Sequence, residues 1–154
     1  LHLCHFTSHH RLAAPAAPWE RLKIGGGSPP LLSRHGWLVI YHGVSATAEP
    51  STAGRRMCYS AGVMVLPEET HRMLGYRSPE QGLTPELPQE RRGVVPNVVF
   101  PTAIDRRDDL GTPDCFDVYY GMADKRIGVA RLKLPEHLPP GAPADAPRAT
   151  VAFF

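Results

Sequence analysis

The sequence predicts an all-β protein built of short antiparallel strands that recur as similar sheet units. Three observations carry this. The 17 prolines and 14 glycines among 154 residues interrupt the chain often, while an apolar fraction of 42% keeps it in the globular range. The runs between these breaks are short and rich in β-branched and aromatic residues, as in Trp37-Leu38-Val39-Ile40-Tyr41. The runs also repeat. Leu38-Val39-Ile40-Tyr41-His42-Gly43 corresponds to Phe116-Asp117-Val118-Tyr119-Tyr120-Gly121, and Gly62 to Pro67 corresponds to Gly128 to Pro135 with two extra residues. Ser28-Pro29-Pro30-Leu31-Leu32 and Val95-Pro96-Asn97-Val98-Val99 open the two units. A period of roughly 65 to 80 residues, with three or four strands per unit, is a long form of the radial β-blade repeat. A β-sandwich with chance similarity between its strands is the alternative. Two units do not close a propeller, which takes about four to eight blades. The chain therefore reads as part of a larger protein with apolar sheet surface left open.

Taken in order, residues 1–18 are poorly patterned. His2, His5, His9 and His10 stand beside Cys4, but the spacing fits no closed zinc site, so no metal is expected. Ala13 to Pro18 read as a linker. Lys23-Ile24-Gly25-Gly26-Gly27 can approach a ligand or a neighbouring strand closely, and Pro29-Pro30 rule out helix. Leu31-Leu32 read as a strand, His35-Gly36 as a turn, and Trp37 to Tyr41 as a strand that ends in polar Tyr41-His42-Gly43.

Residues 44–54 form a loop, and residues 56–66 a strand with a break at Ala61-Gly62. A turn at 67–69 and a short strand at 71–76 follow. Residues 78–89, with Pro79, Pro85 and Pro88, make an irregular connector. In the second half, strands are expected at 98–100, 116–120 and 126–134, with a charged hairpin loop at 105–114. The expected divisions are thus 1–18, a folded part at 19–136, and a Pro/Ala-rich tail at 137–154.

A net charge of +2 without a basic block argues against a nucleic-acid partner. No apolar run has the length of a membrane span, so no membrane is expected. Cys4, Cys58 and Cys115 are odd in number and hold no C-x-x-C pair, which reads as reduced thiols in a cytoplasmic protein.

The segments Lys23 to Pro30, Trp37 to Gly43, Asn97-Val98-Val99-Phe100-Pro101 and Tyr119-Tyr120-Gly121-Met122-Ala123-Asp124, in that order, resemble glycoside hydrolase family 130. This family comprises β-mannoside phosphorylases and some β-mannosidases. The resemblance covers residues 19–136 and implies a five-bladed β-propeller with its active site on the axis, of which about two to three blades are present here. It also implies inverting phosphorolysis. Phosphate attacks the anomeric carbon of a β-mannosyl oligosaccharide and yields α-mannose 1-phosphate, with inorganic phosphate as co-substrate and no cofactor.

By that resemblance Lys23 and His42 bind phosphate, and Asp124 grips hydroxyls of the mannosyl ring. Asn97, Tyr41, Tyr120 and Glu90, the last placed in a loop, are secondary candidates for lining the pocket. The family's proton-donating aspartate belongs to an N-terminal half without counterpart in these residues, so no catalytic residue is assigned. Ala103 and Met122 depart from the usual glycine and alanine. The chain thus reads as the C-terminal part of a phosphorylase, inactive alone. The alternative is a non-catalytic carbohydrate-binding or interaction module, with Trp19, Trp37 and the tyrosines stacking on sugars. Linkage, aglycone and homo-oligomerisation of a full-length parent are left open.

Overall fold

Eight strands in two antiparallel sheets make up a computed structural model of the chain, which describes residues 10–46, 56–70 and 73–141. The first sheet contains β1 (Lys23–Gly26), β2 (Leu31–Ser33), β3 (Gly36–Ala46), β4 (Met57–Leu66) and β5 (Tyr76–Arg77). Its order is β1-β3-β4-β5, with β2 also paired to β3. The second contains β6 (Val99–Arg106), β7 (Cys115–Met122) and β8 (Arg126–Lys133), in that order. A single helical turn, α1 (Pro88–Arg91), lies between them.

The all-β reading holds, with local corrections. The break expected at Ala61-Gly62 does not exist: β4 is continuous and pairs with β3 from Trp37↔Leu66 to Ala46↔Met57. Small residues are needed there because the Trp19 ring lies across both strands. A Cβ on Gly43 would stand 2.4 Å from Trp19 Cζ3, and one on Gly62 would stand 2.6 Å from Cη2. The strand expected at 71–76 is the short β5, and residues 71–72 lie outside the described ones. The connector ends in α1, so Glu90 sits in a helical turn, not in a loop.

The main core lies between the sheets. Leu38, Ile40, Ala61 and Val65 of the first pack against Val99, Phe116, Val118, Tyr120 and Met122 of the second. Side chains alternate along a strand, so β3 also has an outer face. That face buries Tyr41 and Met64 beneath Trp19 and Leu74. The Trp19 Nε1–H donates to the Pro79 carbonyl at 3.3 Å.

Beneath Trp19, the Tyr41 hydroxyl donates to Glu20. Arg77 donates from Nη2 and Nε to the same carboxylate, and from Nη1 to the Ala14 carbonyl at 2.7 Å. Glu20 and Arg77 are both fully buried. Burial, and then the hydrogen bond to Glu20, push the Tyr41 phenol far above its ordinary value. Tyr41 therefore stays a donor.

The second sheet repeats this device. The Tyr120 hydroxyl donates to Glu90 at 2.7 Å, and Glu90 also accepts from the Glu86 and Leu87 N–H groups at 2.8 Å. Glu20 likewise accepts from Ala16 and Ala17. Burial and Glu90 push the Tyr120 phenol up to about 12. The internal repeat is therefore real but shifted by one residue from the sequence alignment. Tyr41, opposite Gly62, matches Tyr120, opposite Gly128, whereas Tyr119 points outward. On that outward face Tyr119, Val129 and Ile127 are exposed, Ile127 at 82%.

Among the described residues no helix is long and apolar enough to cross a membrane, and no group of three or more His, Cys, Asp or Glu is placed to hold a metal. The cluster of Cys4 with His2, His5 and His9 lies outside the described residues.

Candidate active site

Antiparallel pairing brings the start of β1, the end of β3, the start of β4 and the start of β6 to one end of the two sheets. Lys23, Val44 and Tyr59 stand side by side across β1, β3 and β4, as do Gly25, His42 and Ala61. Lys23 is exposed, and its Nζ lies 5.3 Å from the centre of the Tyr59 ring. Phe100 reaches over from the second sheet to pack on His42, with ring centres 4.4 Å apart.

His42 is closed in from three sides. Phe100 covers one face, Tyr59 stands 6.0 Å away, and the Gly25 backbone presses on the ring. A Cβ on Gly25 would come 2.4 Å from His42 Cε1, so the glycine run serves close approach to this imidazole. Burial, and then the positive charge of Lys23, hold the His42 pKa below its ordinary value, against an opposing pull from the Gly26 carbonyl. At neutral pH the site therefore pairs one cation with one neutral ring. Among the described residues, none hydrogen-bonds the buried His42 Nδ1.

The remaining candidates divide. Asn97 borders the cluster: its carbonyl accepts the Tyr59 N–H at 3.0 Å, and its φ of 59° is left-handed. Asp124 occupies the tip of the β7–β8 hairpin. Ala123 and Asp124 both have φ near +50°, and Lys125 N–H closes the turn on the Met122 carbonyl. Ala123 N–H bonds the Val98 carbonyl, which sets the Asp124 turn beside Asn97 on the same rim. Asp124 is exposed. Tyr41 faces away from Lys23 and His42, and its hydroxyl is taken by Glu20. Tyr120 and Glu90 are buried against each other.

Tyr59 and Phe100, which form the walls of the site, were not singled out by the sequence. Aromatic residues inside apolar strands look like core. Only the register, which puts Tyr59 opposite Val44 and beside Lys23, separates them from it.

The profile of glycoside hydrolase family 130, described as β-1,4-mannooligosaccharide phosphorylase, matches residues 5–138. The chain belongs to this family. A β-1,2-mannobiose phosphorylase of Thermoanaerobacter sp. is 38% identical over 115 residues, which is 75% of this chain and 33% of that protein. A β-1,4-mannooligosaccharide phosphorylase of Ruminococcus albus is 32% identical over 126 residues, or 82% of this chain and 35% of that one. The chain thus spans about a third of the length of the curated relatives it matches. Among solved structures, the Listeria innocua β-1,2-mannobiose phosphorylase in complex with β-1,2-mannobiose matches with a TM-score of 0.60 at 25% identity. That match covers 75% of this chain and 29% of the other.

Two results are expected from this geometry. Gly25→Ala should lower stability by about 1–3 kcal/mol, because a ring wedged by Phe100 cannot move aside freely. Its denaturant midpoint measures this. The second concerns pH. A folded-state pKa below the unfolded value of 6.5 means that the unfolded chain binds the extra proton first. The contribution of His42 is then fully present above that value and is lost as pH falls through the lower folded one. Urea midpoints should drop from pH 7.5 to 5.5, and His42→Gln should flatten the dependence.

Proposed function

We propose that the chain forms the phosphate- and sugar-facing part of an inverting β-mannoside phosphorylase, its sheets being blades of a propeller completed by the rest of a longer protein. The single observation that carries this is the Lys23–His42–Tyr59–Phe100 cluster, an exposed lysine over the Tyr59 ring beside a buried neutral imidazole. Family membership gives it a chemistry. Phosphate oxygen bonds to the anomeric carbon, and the bond from that carbon to the leaving oxygen breaks. The leaving oxygen takes a proton from a carboxylic acid supplied by the remainder of the enzyme, relayed by a sugar hydroxyl.

In this reading Lys23 neutralises the entering phosphate as a point charge, with the neutral His42 ring beside it. Asp124 and Asn97, further along the rim, accept from sugar hydroxyls. The exposed face of Tyr119, Ile127 and Val129 corresponds to the β3–β4 face that the second sheet covers, which supports a further sheet in the full protein. A non-catalytic sugar-binding module fares less well. Trp19, a proposed stacking residue, lies buried over Gly43 and Gly62 with its indole N–H bonded.

The test is Lys23→Ala in a full-length parent. KM for phosphate should rise by about tenfold or more, with KM for the mannoside little changed. Turnover independent of phosphate would overturn the reading in favour of hydrolysis.

A further inference from the structure

The two sheets are built alike but finished differently. In the first, the outermost strand is β5, which pairs with β4 through Met64↔Arg77 and Val65↔Tyr76. From there Arg77 reaches the buried Glu20–Tyr41 pair and supplies its cation. In the second sheet β8 is the outermost strand, bonded to β7 and, among the described residues, to no strand beyond it. Glu90 is 2% exposed and holds the Tyr120 hydroxyl, yet no cation reaches it among the described residues. The repeat thus lacks two connected parts, a fourth strand and its basic side chain.

The space for them exists. A cleft of about 110 Å³ lies along β8 between the sheets, walled by Ile40, Ala61 and Val63 on one side and by Val118, Ala130 and Leu132 on the other. Ala130 holds the place in β8 that Met64, the partner of Arg77, holds in β4. Two positions along is Gly128, against which the Tyr120 ring lies: a Cβ there would stand 2.7 Å from Tyr120 Cζ. β8 thus carries the open edge and one wall of the cleft, and the Tyr120 ring that bonds Glu90 lies against its Gly128.

We infer that the free edge of β8 is a docking site for an extended segment bearing one arginine or lysine, supplied by the part of the full-length protein that this chain does not span. The segment adds as a fourth antiparallel strand, and its basic side chain enters opposite Ala130 toward Glu90, as Arg77 does toward Glu20. This rests on the internal repeat and on the chain's one-third share of its relatives' length. It does not depend on which sugar or acceptor the enzyme takes.

The probe is a synthetic peptide copying residues 73–79, the β5 segment with its flanks, added to the full 154-residue chain. In the free chain, the β8 amides not bonded to β7 should exchange with solvent without protection. Peptide at millimolar concentration should slow their exchange and shift the resonances of Ile127 to Lys133. The same peptide with Arg77→Gln should bind at least about fivefold more weakly, and Glu90→Gln in the chain should bring the two affinities within about twofold. If Glu90→Gln does not fold, the two peptides on the unaltered chain still decide.

Equal affinity of both peptides for the unaltered chain overturns the inference, as does no binding of either. Amides already protected at every protein concentration would show that residues of this chain cover the edge. Protection that grows with protein concentration would show a second copy there. Either result overturns the assignment.

Discussion

An Arg77→Met variant should lose about 3–5 kcal/mol of folding free energy, seen as a large fall in urea midpoint or as failure to fold. Arg77 and Glu20 are both fully buried, and the guanidinium also reaches the Tyr41 hydroxyl and the Ala14 carbonyl. Removing it strands a carboxylate with no route to water. That penalty, more than the loss of a favourable contact, sets the magnitude. The double variant Glu20→Gln/Arg77→Met should recover a substantial part of the loss, since no charge is then left alone. Arg77→Lys should not substitute fully, because one ammonium cannot span carboxylate, hydroxyl and carbonyl as the planar fork does. A loss below about 1 kcal/mol for Arg77→Met would place the pair in the range of solvent-exposed ion pairs and remove it as a structural brace.

The strands were legible where side-chain chemistry sets them. Trp37 to Tyr41 lie in β3 and Phe116 to Tyr120 in β7, because β-branched and aromatic runs fit a half-buried pleated surface. Glycine misled in both directions. Gly25 and Gly26 read as a segment of close approach with no strand assigned but belong to an edge strand, and Gly62 read as a break but lies inside β4 under Trp19. No local rule distinguishes a glycine that bends a chain from one that makes room for a ring forty residues away.

The brace itself was within reach. Ala17-Pro18-Trp19-Glu20 and Leu87-Pro88-Gln89-Glu90 both place proline at the start of a helical turn and a carboxylate at its third position, a capping signature. These two mark the buried carboxylates but not the register, since Tyr41 follows Glu20 by 21 residues and Tyr120 follows Glu90 by 30. Strand similarity alone was ambiguous by one residue, and with a side-chain period of two that error exchanges the buried face for the exposed one. Of the site, Lys23, Gly25 and His42 were visible as a local motif. Tyr59 and Phe100 were not, because register and the meeting of the sheets bring them in.

The chain alone should show no detectable phosphorolysis of β-mannobiose. A sugar leaves as an alkoxide only at great cost, and a positioned acid typically supplies about a hundredfold to ten-thousandfold. Orientation of the sugar by groups outside this chain can contribute still more. The acidic residues near the rim offer no replacement. Glu90 is buried and already accepts from Tyr120, Glu86 and Leu87, so it neither meets substrate nor holds a free position. Asp124 is exposed at a hairpin tip, with no contact that would fix it on a leaving oxygen. Binding of phosphate near Lys23 can persist without turnover, since a point charge needs no acid to attract an anion. The measurement is the purified chain with β-mannobiose and phosphate, followed for α-mannose 1-phosphate. Product formation that disappears in Asp124→Ala would identify Asp124 as the proton donor and place the acid within this third of the enzyme.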